Sequence, residues 1–556
     1  MFEDLTLYQA YKQASQDVKD ETAIYYFHTK ISFEKLLEKI DEMAAILQNQ
    51  FLIKKGDTII VSLPNIPQTI ILFYAINKIG AVANMVHPNS PCEVMQKYYD
   101  DADCKLAFLF DQKVYKELVA YKKFKGHVVI CQAGSFLNFR QKTAYNIRNS
   151  WVTKMLRNAK KFLFYDDLKI MVDDSKEIPL DKSETSVLLH SASTTGIAKT
   201  ICLSSKSFNF TASRTSEIMC MNPDDFVGKS LVSVLPSFHG FGLCMTMHAP
   251  LVNRFGVILI PKFSAREVSK MMNRAKNAIC ICGVPNVFKA LLNDTSFTNN
   301  KHLDTLRSCF SGGDSLNSMI KENFDSAMIR KGSKCRLFEG YGLTEVLSVC
   351  SVNTHRHHKY GSIGYPITGV EFRILDQNDK PLGPNELGEI SIKSENNMLG
   401  YFKDEEASKT IYADGFLKTG DLGYIDEDGF LYFKARKKRV IKVSGVAVFP
   451  HEIEAVISSL SGIDAVCVIQ IPDERLTNAV KAVVVGRNKN KDRIIAECQK
   501  RLISWAVPKE IEFRNSLPYT RYHKINYLKI QEEENKKYEV KEECSIILPT
   551  WPWRNW

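Results

Sequence analysis

The residues best suited to chemistry lie between Val187 and Ser205, where the chain reads VLLHSASTTGIAKTICLSS. Two apolar runs, Val187–Leu189 and Thr200–Leu203, flank a loop of hydroxyl residues, one glycine and one lysine, which predicts a strand, a tight polar turn and a second strand. Ser191, Ser193, Thr194 and Thr195 offer neutral donors, Gly196 lets the backbone approach an anion, and Lys199 adds a positive charge. Such a loop can hold a polyphosphate. It is not the common phosphate loop, which needs G-x-x-x-x-G-K-[ST] at the opening of a helix. Gly228-Lys229-Ser230 fails that pattern, because Pro223 stands where its first glycine is required. Taken alone, the stretch also reads as a Ser/Thr-rich hairpin loop.

The elements around this loop must form a large protein. At 556 residues, two or more domains are expected. Hydrophobic content of 45% with 25% charged residues is that of a soluble globular chain. The acidic start, MFEDLTLYQAYKQ, is no signal peptide, and Ile66–Val86 is broken by Lys78 and reads as core rather than as a membrane span. Most of the fourteen cysteines sit in apolar runs without C-x-x-C spacing, as reduced buried thiols do, which points to a cytoplasmic protein and away from zinc. His355, His357 and His358 read as a solvated basic loop. Net charge is +11, and no acidic residue occurs between Glu117 and Asp166. Residues 149–164 alternate basic with apolar side chains, which predicts a surface helix. Contact with an anionic membrane and a partnerless insertion both fit it. Nucleic acid is not expected, since no binding motif accompanies the basic patch.

Phe33–Gln50 predicts an amphipathic helix with Leu36, Leu37, Ile40, Met43 and Ile46 on one face; Asp57–Ser62 predicts a strand and Pro67–Ile79 a buried helix. This alternation of helix and strand points to a layered α/β sheet. Further on, Leu235-Pro236-Ser237-Phe238-His239-Gly240 presents a histidine at a strand end, and Ser311-Gly312-Gly313-Asp314 and Phe338-Glu339-Gly340-Tyr341-Gly342-Leu343-Thr344-Glu345 fall where ligand sites of α/β sheets lie. Asp414–Asp421, the basic run Phe433–Lys442, Ser444–Glu454 and Leu517–Ile525 follow.

Taken in order, His190–Thr200, the His239 segment, Ser311–Leu316, Phe338–Glu345, Asp414–Asp421, Ala435–Lys442 and Leu517–Ile525 resemble the adenylate-forming superfamily, in its acyl-CoA synthetase branch. The phosphate loop keeps T-T-G and the lysine, while Ser193, Ala198 and Thr200 replace Gly, Pro and Gly of that family; Ala435 replaces its hinge Asp and His523 a Gly. The resemblance implies that Tyr341 stacks on adenine, Gly313, Asp314 and Gly342 frame it, Thr344 bonds the α-phosphate, Glu345 holds Mg²⁺, and Asp421 takes the ribose hydroxyls. Arg436 and Lys442 complete the nucleotide site, Lys524 promotes adenylation, and Ser444 and Gly445 line the passage of the CoA arm. His239 lies beside the substrate carboxylate and argues against an amino-acid substrate.

The expected architecture is a large layered α/β domain over residues 1–435, a small mobile α+β lid over 436–530 and a flexible tail over 531–556. The expected reaction uses ATP and Mg²⁺ to turn a carboxylic acid, a fatty acid by preference, into acyl-AMP and then transfers the acyl group to CoA. Three alternatives remain at this point: loading of a separate acyl carrier protein, a non-catalytic ATP- or acyl-binding protein, and a luciferase-like oxygenase.

Overall fold

The computed structural model describes residues 2–170, 175–181, 184–191, 199–473, 475–487, 489–520 and 525–546. Ser193, Thr194, Thr195, Gly196 and Lys524 lie outside the described residues, as do the terminal tryptophans. Among the described residues the strands assemble into two large, mainly parallel sheets, a smaller antiparallel sheet and a separate three-stranded sheet near the C-terminus. The fold is therefore α/β, as the alternation of elements predicts.

One large sheet carries the phosphate-loop hairpin. Thr185–His190 pairs antiparallel with Thr200–Ser204 on one side and parallel with Val82–Met85 on the other, which connects it to the strand Thr58–Ser62 at the sheet centre. The second large sheet runs through Ser230–Ser233, Ala278–Gly283, Ser308–Ser311 and Arg336–Tyr341, all parallel, so their C-terminal ends lie along one edge. That edge presents the Gly313 and Tyr341 segments together.

Between the sheets lie helices whose apolar faces the sequence encodes directly. The helix Phe33–Asn49 starts at Ser32, whose hydroxyl accepts the Lys35 N–H, and it buries Leu36, Ile40, Met43 and Ile46. Pro67–Lys78 is buried on every side, including Lys78, whose ammonium reaches Asp41 at 2.9 Å and Ser175 at 2.7 Å. No helix among the described residues is long and apolar enough to cross a membrane.

The basic stretch differs from its expected form. The helix spans Phe139–Asn158, and the chain then turns into a short strand at Leu163–Phe164. Pairing of Val129–Ile130 with Leu163–Phe164 recruits those two residues to the sheet edge and ends the helix.

The smaller antiparallel sheet joins Val370–Leu375, Gly388–Ser394, Phe416–Ile425 and Leu431–Arg436. Beyond Arg436, Ile441, Val443, Ile453 and Val468 belong to a core of their own. There Ile463–Asp473 and Thr477–Gly486 form a hairpin, and a helix at Lys491–Arg501 crosses to a parallel strand, Glu510–Phe513.

The charged stretch from Gln531 departs from the flexible tail expected of it. Tyr527–Ile546 is a helix, with Ile530 buried against Cys467, Ile469 and Leu517. Glu534 reaches the buried Lys481 ammonium at 2.5 Å, which Glu512 also meets at 2.9 Å and Glu510 at 3.4 Å. Ile530, Glu534 and Lys537 recur at helical spacing, so the anchors share one face although the segment looks uniformly polar.

Truncating Lys481 leaves three carboxylates around a buried vacancy. Lys481→Ala is expected to cost about 1.5–3 kcal/mol, read as an earlier thermal transition, because it removes the buried partner of Glu534 and Glu512 and leaves them only Lys537 and Arg514. The pH dependence has a definite sign. Burial raises the Glu512 carboxyl, but hydrogen bonds from Lys481 and Arg514 outweigh it and hold the group at about 2. Its contribution is therefore present above the usual carboxylate range and is lost as pH falls toward 2. A transition that moves by less than 1 °C in the variant would contradict this account.

Candidate active site

The hairpin brings Ser191 and Lys199 together at the base of the polar loop. The Ser191 N–H donates to the Lys199 carbonyl at 2.9 Å, and the Lys199 N–H donates to Ser191 Oγ at 3.0 Å. His190, one residue earlier, bridges Thr200 Oγ1 at 3.0 Å and Asn84 Oδ1 at 2.7 Å and stacks on Tyr98. These contacts close the two ends of the loop on each other.

Gly400–Tyr401 pairs with Ile201–Cys202 just beyond the loop, and this register places the Tyr401 ring 4.1 Å from Lys199 Nζ. Tyr401 Oη also donates to Glu345 Oε1 at 3.2 Å. One tyrosine thus links the lysine of the polar loop to the carboxylate proposed from sequence as a metal ligand. Burial raises the Glu345 carboxyl above its ordinary range, opposed by hydrogen bonds from backbone and from Tyr401. A divalent cation on the remaining oxygen would relieve that penalty, and a carboxylate oxygen is a suitable hard ligand. Thr344 opens the same short turn, Thr344–Val346.

The turn itself depends on Gly342. A Cβ at that position would sit 1.5 Å from the Ser348 carbonyl oxygen, a separation no side chain tolerates. Tyr341, just before it, donates from Oη to Asp421 Oδ2 at 2.8 Å, and Arg436 Nε lies 2.9 Å from Asp421 Oδ1. The Asp421 side chain is only 2% exposed. A buried carboxylate held by one hydroxyl donor and one ion pair at the sheet edge is suited to accept a vicinal diol.

A deep cavity adjoins this cluster. His239, Gly313, Tyr341 and Gly342 line its wall, and Ile218, Met219, Leu231 and Phe255 line it farther along the sheet. Two buried hydroxyls on the wall, Ser311 Oγ and Ser348 Oγ, have no hydrogen-bond partner within the described structure, which leaves them for a bound polar group. The segment after His239 is a π-helix, Phe241–His248, which projects Phe241 and Met245 into the same cavity. Gly240 and Gly242 permit this packing, since a Cβ would meet the Leu347 carbonyl oxygen at 1.7 Å or the Pro236 carbonyl oxygen at 2.1 Å.

The remaining sequence candidates stand apart from the cavity wall. Asp314 is exposed, beyond Gly313 with its φ of +77°. Lys442, Ser444 and Gly445 occupy the hairpin Ile441–Val443/Val446–Val448, where the Ser444 N–H donates to the Leu476 carbonyl at 3.0 Å. Gly445 has φ of +82° and open space around its Cβ position, so a narrow ligand arm can pass its backbone.

Two further residues join the site beyond those expected. Tyr401 carries no chemical signal in Met398–Tyr401 alone, because its role arises only from strand pairing. Glu389, a buried acid beside Ile390 and Ile392 in the strand Gly388–Ser394, accepts the Lys437 ammonium at 2.7 Å and the Gly420 N–H at 3.1 Å. It ties the residue after Arg436 to the loop before Asp421. A lone glutamate in an alternating strand is the signal that could have revealed it.

This arrangement is that of a nucleotide-binding enzyme with an apolar second pocket. The chain belongs to a known family: residues 11–402 match the AMP-binding enzyme family, and residues 452–524 match the AMP-binding enzyme C-terminal domain. A long-chain-fatty-acid–CoA ligase of Bacillus subtilis (strain 168) is 29% identical over 533 residues, which cover 94% of this chain and 93% of that protein. ATP-bound MatB from Rhodopseudomonas palustris has a TM-score of 0.80 at 21% identity, covering 96% of this chain and 99% of that one. The o-succinylbenzoate coenzyme A synthetase MenE from Bacillus subtilis, in complex with ATP and magnesium ion, has a TM-score of 0.75 at 22% identity, covering 93% and 98%. Both solved structures share the fold of a large N-terminal and a small C-terminal domain.

Gly342→Ala should displace the Ser348 backbone and with it the turn that carries Thr344 and Glu345. The expected result is a loss of about 1–3 kcal/mol in stability, together with loss of thermal protection by ATP. A variant that ATP protects as well as the parent would contradict the assigned role of this turn.

Proposed function

We propose that this chain is an AMP-forming acid–thiol ligase that activates a long-chain fatty acid to acyl-AMP and transfers the acyl group to CoA. The observation that carries this reading is the cavity, which leads from Tyr341 into an interior whose lining, among the described residues, is mainly apolar and holds no lysine or arginine. The Bacillus subtilis relative, named for the same activity, supports the long-chain choice.

In this reading the fatty acid carboxylate lies near His239 and the Ser311 and Ser348 hydroxyls, with its tail toward Met219 and Leu231. The carboxylate oxygen attacks the α-phosphorus of ATP, the bond to the β-phosphate oxygen breaks, and pyrophosphate leaves. Ser191, Ser193, Thr194, Thr195, Gly196 and Lys199 hold the phosphates, and Tyr341, Gly342, Gly313 and Asp314 frame adenine. Asp421 takes the ribose hydroxyls, assisted by Arg436, while Thr344 and Lys524 stabilise charge on the transferring phosphoryl group. Glu345 would hold Mg²⁺, which when bound neutralises phosphate charge. No protein nucleophile is needed.

The CoA sulfur then attacks the acyl carbonyl and AMP leaves. Ser444 and Gly445 belong to this second half-reaction, which requires the C-terminal unit to turn about Ala435 and Arg436, while Lys442 serves the nucleotide site with Arg436. Ala435 is buried opposite Leu422, while Arg436–Asp421 and Lys437–Glu389 bridge the junction, so these two ion pairs are the contacts such a turn must exchange. The reading places the protein in the cytoplasm, with peripheral contact to an anionic membrane through residues 149–164. CoA is preferred to a carrier protein as acceptor because the open backbone at Gly445 suits a slender thiol arm.

Acid-dependent exchange of pyrophosphate into ATP tests this reading across chain lengths. The parent protein is expected to prefer long chains, and Met219→Trp, which fills the inner cavity, should shift the preference to shorter acids by at least about tenfold in kcat/KM. An unchanged profile in the variant would remove the cavity as the acyl site. Tyr401→Phe should retain the cation–π contact yet raise the magnesium concentration needed for half-maximal ATP binding severalfold, since its hydroxyl orients Glu345. An unchanged magnesium requirement would contradict that link.

A further inference from the structure

The helix Phe139–Asn158 is attached to the protein by three hydrogen bonds and, toward its C-terminal end, by Val152 and Leu156 on the core. Tyr145 Oη donates to Asp111 Oδ2 at 3.1 Å, Gln112 Nε2 donates to Asn149 Oδ1 at 3.1 Å, and Gln132 Nε2 donates to Thr153 Oγ1 at 3.0 Å. These three anchors recur every fourth residue and so share one face of the helix. Leu156 is the side chain fully buried there, and Asn138 caps the helix through the Gln141 N–H.

The outward face is the apolar one. Phe139 is 85% exposed, Ile147 72% and Trp151 62%, and their four- and eight-residue spacing, with Thr143 between them, sets them along one stripe. A surface helix of a globular protein normally has the reverse polarity, with its apolar stripe against the core.

Cations border this stripe. Arg140, Arg148 and Lys154 are exposed and have no acidic partner among the described residues. The nearby acids are already engaged: Asp166 by Lys142 at 3.2 Å and Asp167 by Arg157 at 2.7 Å and 3.1 Å. Lys161 donates to the carbonyls of Lys122 and Phe124, which brings Lys122, Lys123 and Lys125 beside the C-terminal end of the same helix. Arg157 and Lys161 are thus internal fastenings, while Arg140, Arg148 and Lys154 follow the apolar stripe along the helix.

We infer that this helix is a bilayer-docking element: Phe139, Ile147 and Trp151 enter the interfacial layer of an anionic membrane, and Arg140, Arg148 and Lys154 take the head-group charges. An exposed stripe of Trp, Phe and Ile among Arg and Lys has the composition of an interfacial helix. A second copy of this chain would place like charges together, which disfavours self-association as the use of this face. The inference refines the membrane contact of the preceding section from 149–164 to the outer face of 139–154. Its choice of a lipid rather than a protein partner rests on the long-chain reading.

Sedimentation of the full chain, without ATP, acid or CoA, tests the inference with vesicles of phosphatidylcholine alone or mixed with phosphatidylglycerol. The parent should bind the mixed vesicles more tightly, with an affinity that falls as salt rises. Arg140→Gln/Arg148→Gln/Lys154→Gln should weaken binding to the mixed vesicles roughly 100-fold, at about fivefold per cation. Phe139→Ser/Ile147→Ser/Trp151→Ser should abolish it while leaving the thermal transition in place, since these side chains touch no core. Equal binding by the parent and both variants would overturn the inference, as would no binding by the parent. Acid activation in detergent-dispersed substrate, measured on the same samples, separates the two claims. Activity unchanged in variants that no longer bind supports the surface role, and vesicle binding by a protein that activates no acid would refute the long-chain reading alone.

Discussion

The Asp421 carboxylate is the point on which the site depends. It is buried, and a buried carboxylate must be paired or hydrogen-bonded to remain charged. Its partners come from two sheets: Tyr341 at the end of a strand in one large sheet, and Arg436, directly across from Asp421 in the smaller antiparallel sheet. Meeting that requirement fixes the smaller sheet against the edge where the parallel strands end. Glu389 repeats the arrangement beside it by accepting Lys437 and the Gly420 N–H, so two buried acids clamp the same junction. The chain leaves this junction directly for the C-terminal unit, so the rotation proposed for that unit would have to exchange these same two charge pairs.

The second constraint is steric. Gly240, Gly242 and Gly342 each sit within about 2 Å of a backbone carbonyl oxygen, measured from the position a Cβ would take. These close approaches let the His239 segment, the π-helix and the Tyr341–Glu345 turn converge on one cavity. Chemistry-bearing side chains therefore stand on backbone that no larger residue could form, which ties catalysis to packing at those three positions.

Much of this was legible in the sequence. The hairpin at Val187–Ser205, the helix from Phe33 and the strand at Thr58–Ser62 follow from periodicity and from turn residues, both local signals. The order of the motifs also points to the family, and the structure brings Tyr341, Thr344, Glu345 and Asp421 into one neighbourhood. What escaped were features made by long-range pairing. Tyr401 becomes important only because its strand pairs beside the polar loop. The helix from Phe139 has its outer face apolar, and composition alone could not assign the faces. The charged segment after Gln531 docks through Ile530 and Glu534 because a buried Lys481 awaits it on a strand fifty residues earlier.

The central claim is that acyl-AMP forms first and CoA then receives the acyl group. Incubating the protein with ATP, magnesium and a long-chain fatty acid, first without and then with CoA, tests it most directly by mass spectrometry of the products. The account predicts acyl-adenylate and pyrophosphate before CoA is added, then one AMP released for each acyl-CoA formed. ADP and phosphate in place of AMP and pyrophosphate, or no adenylate with any acid although ATP binds, would contradict it.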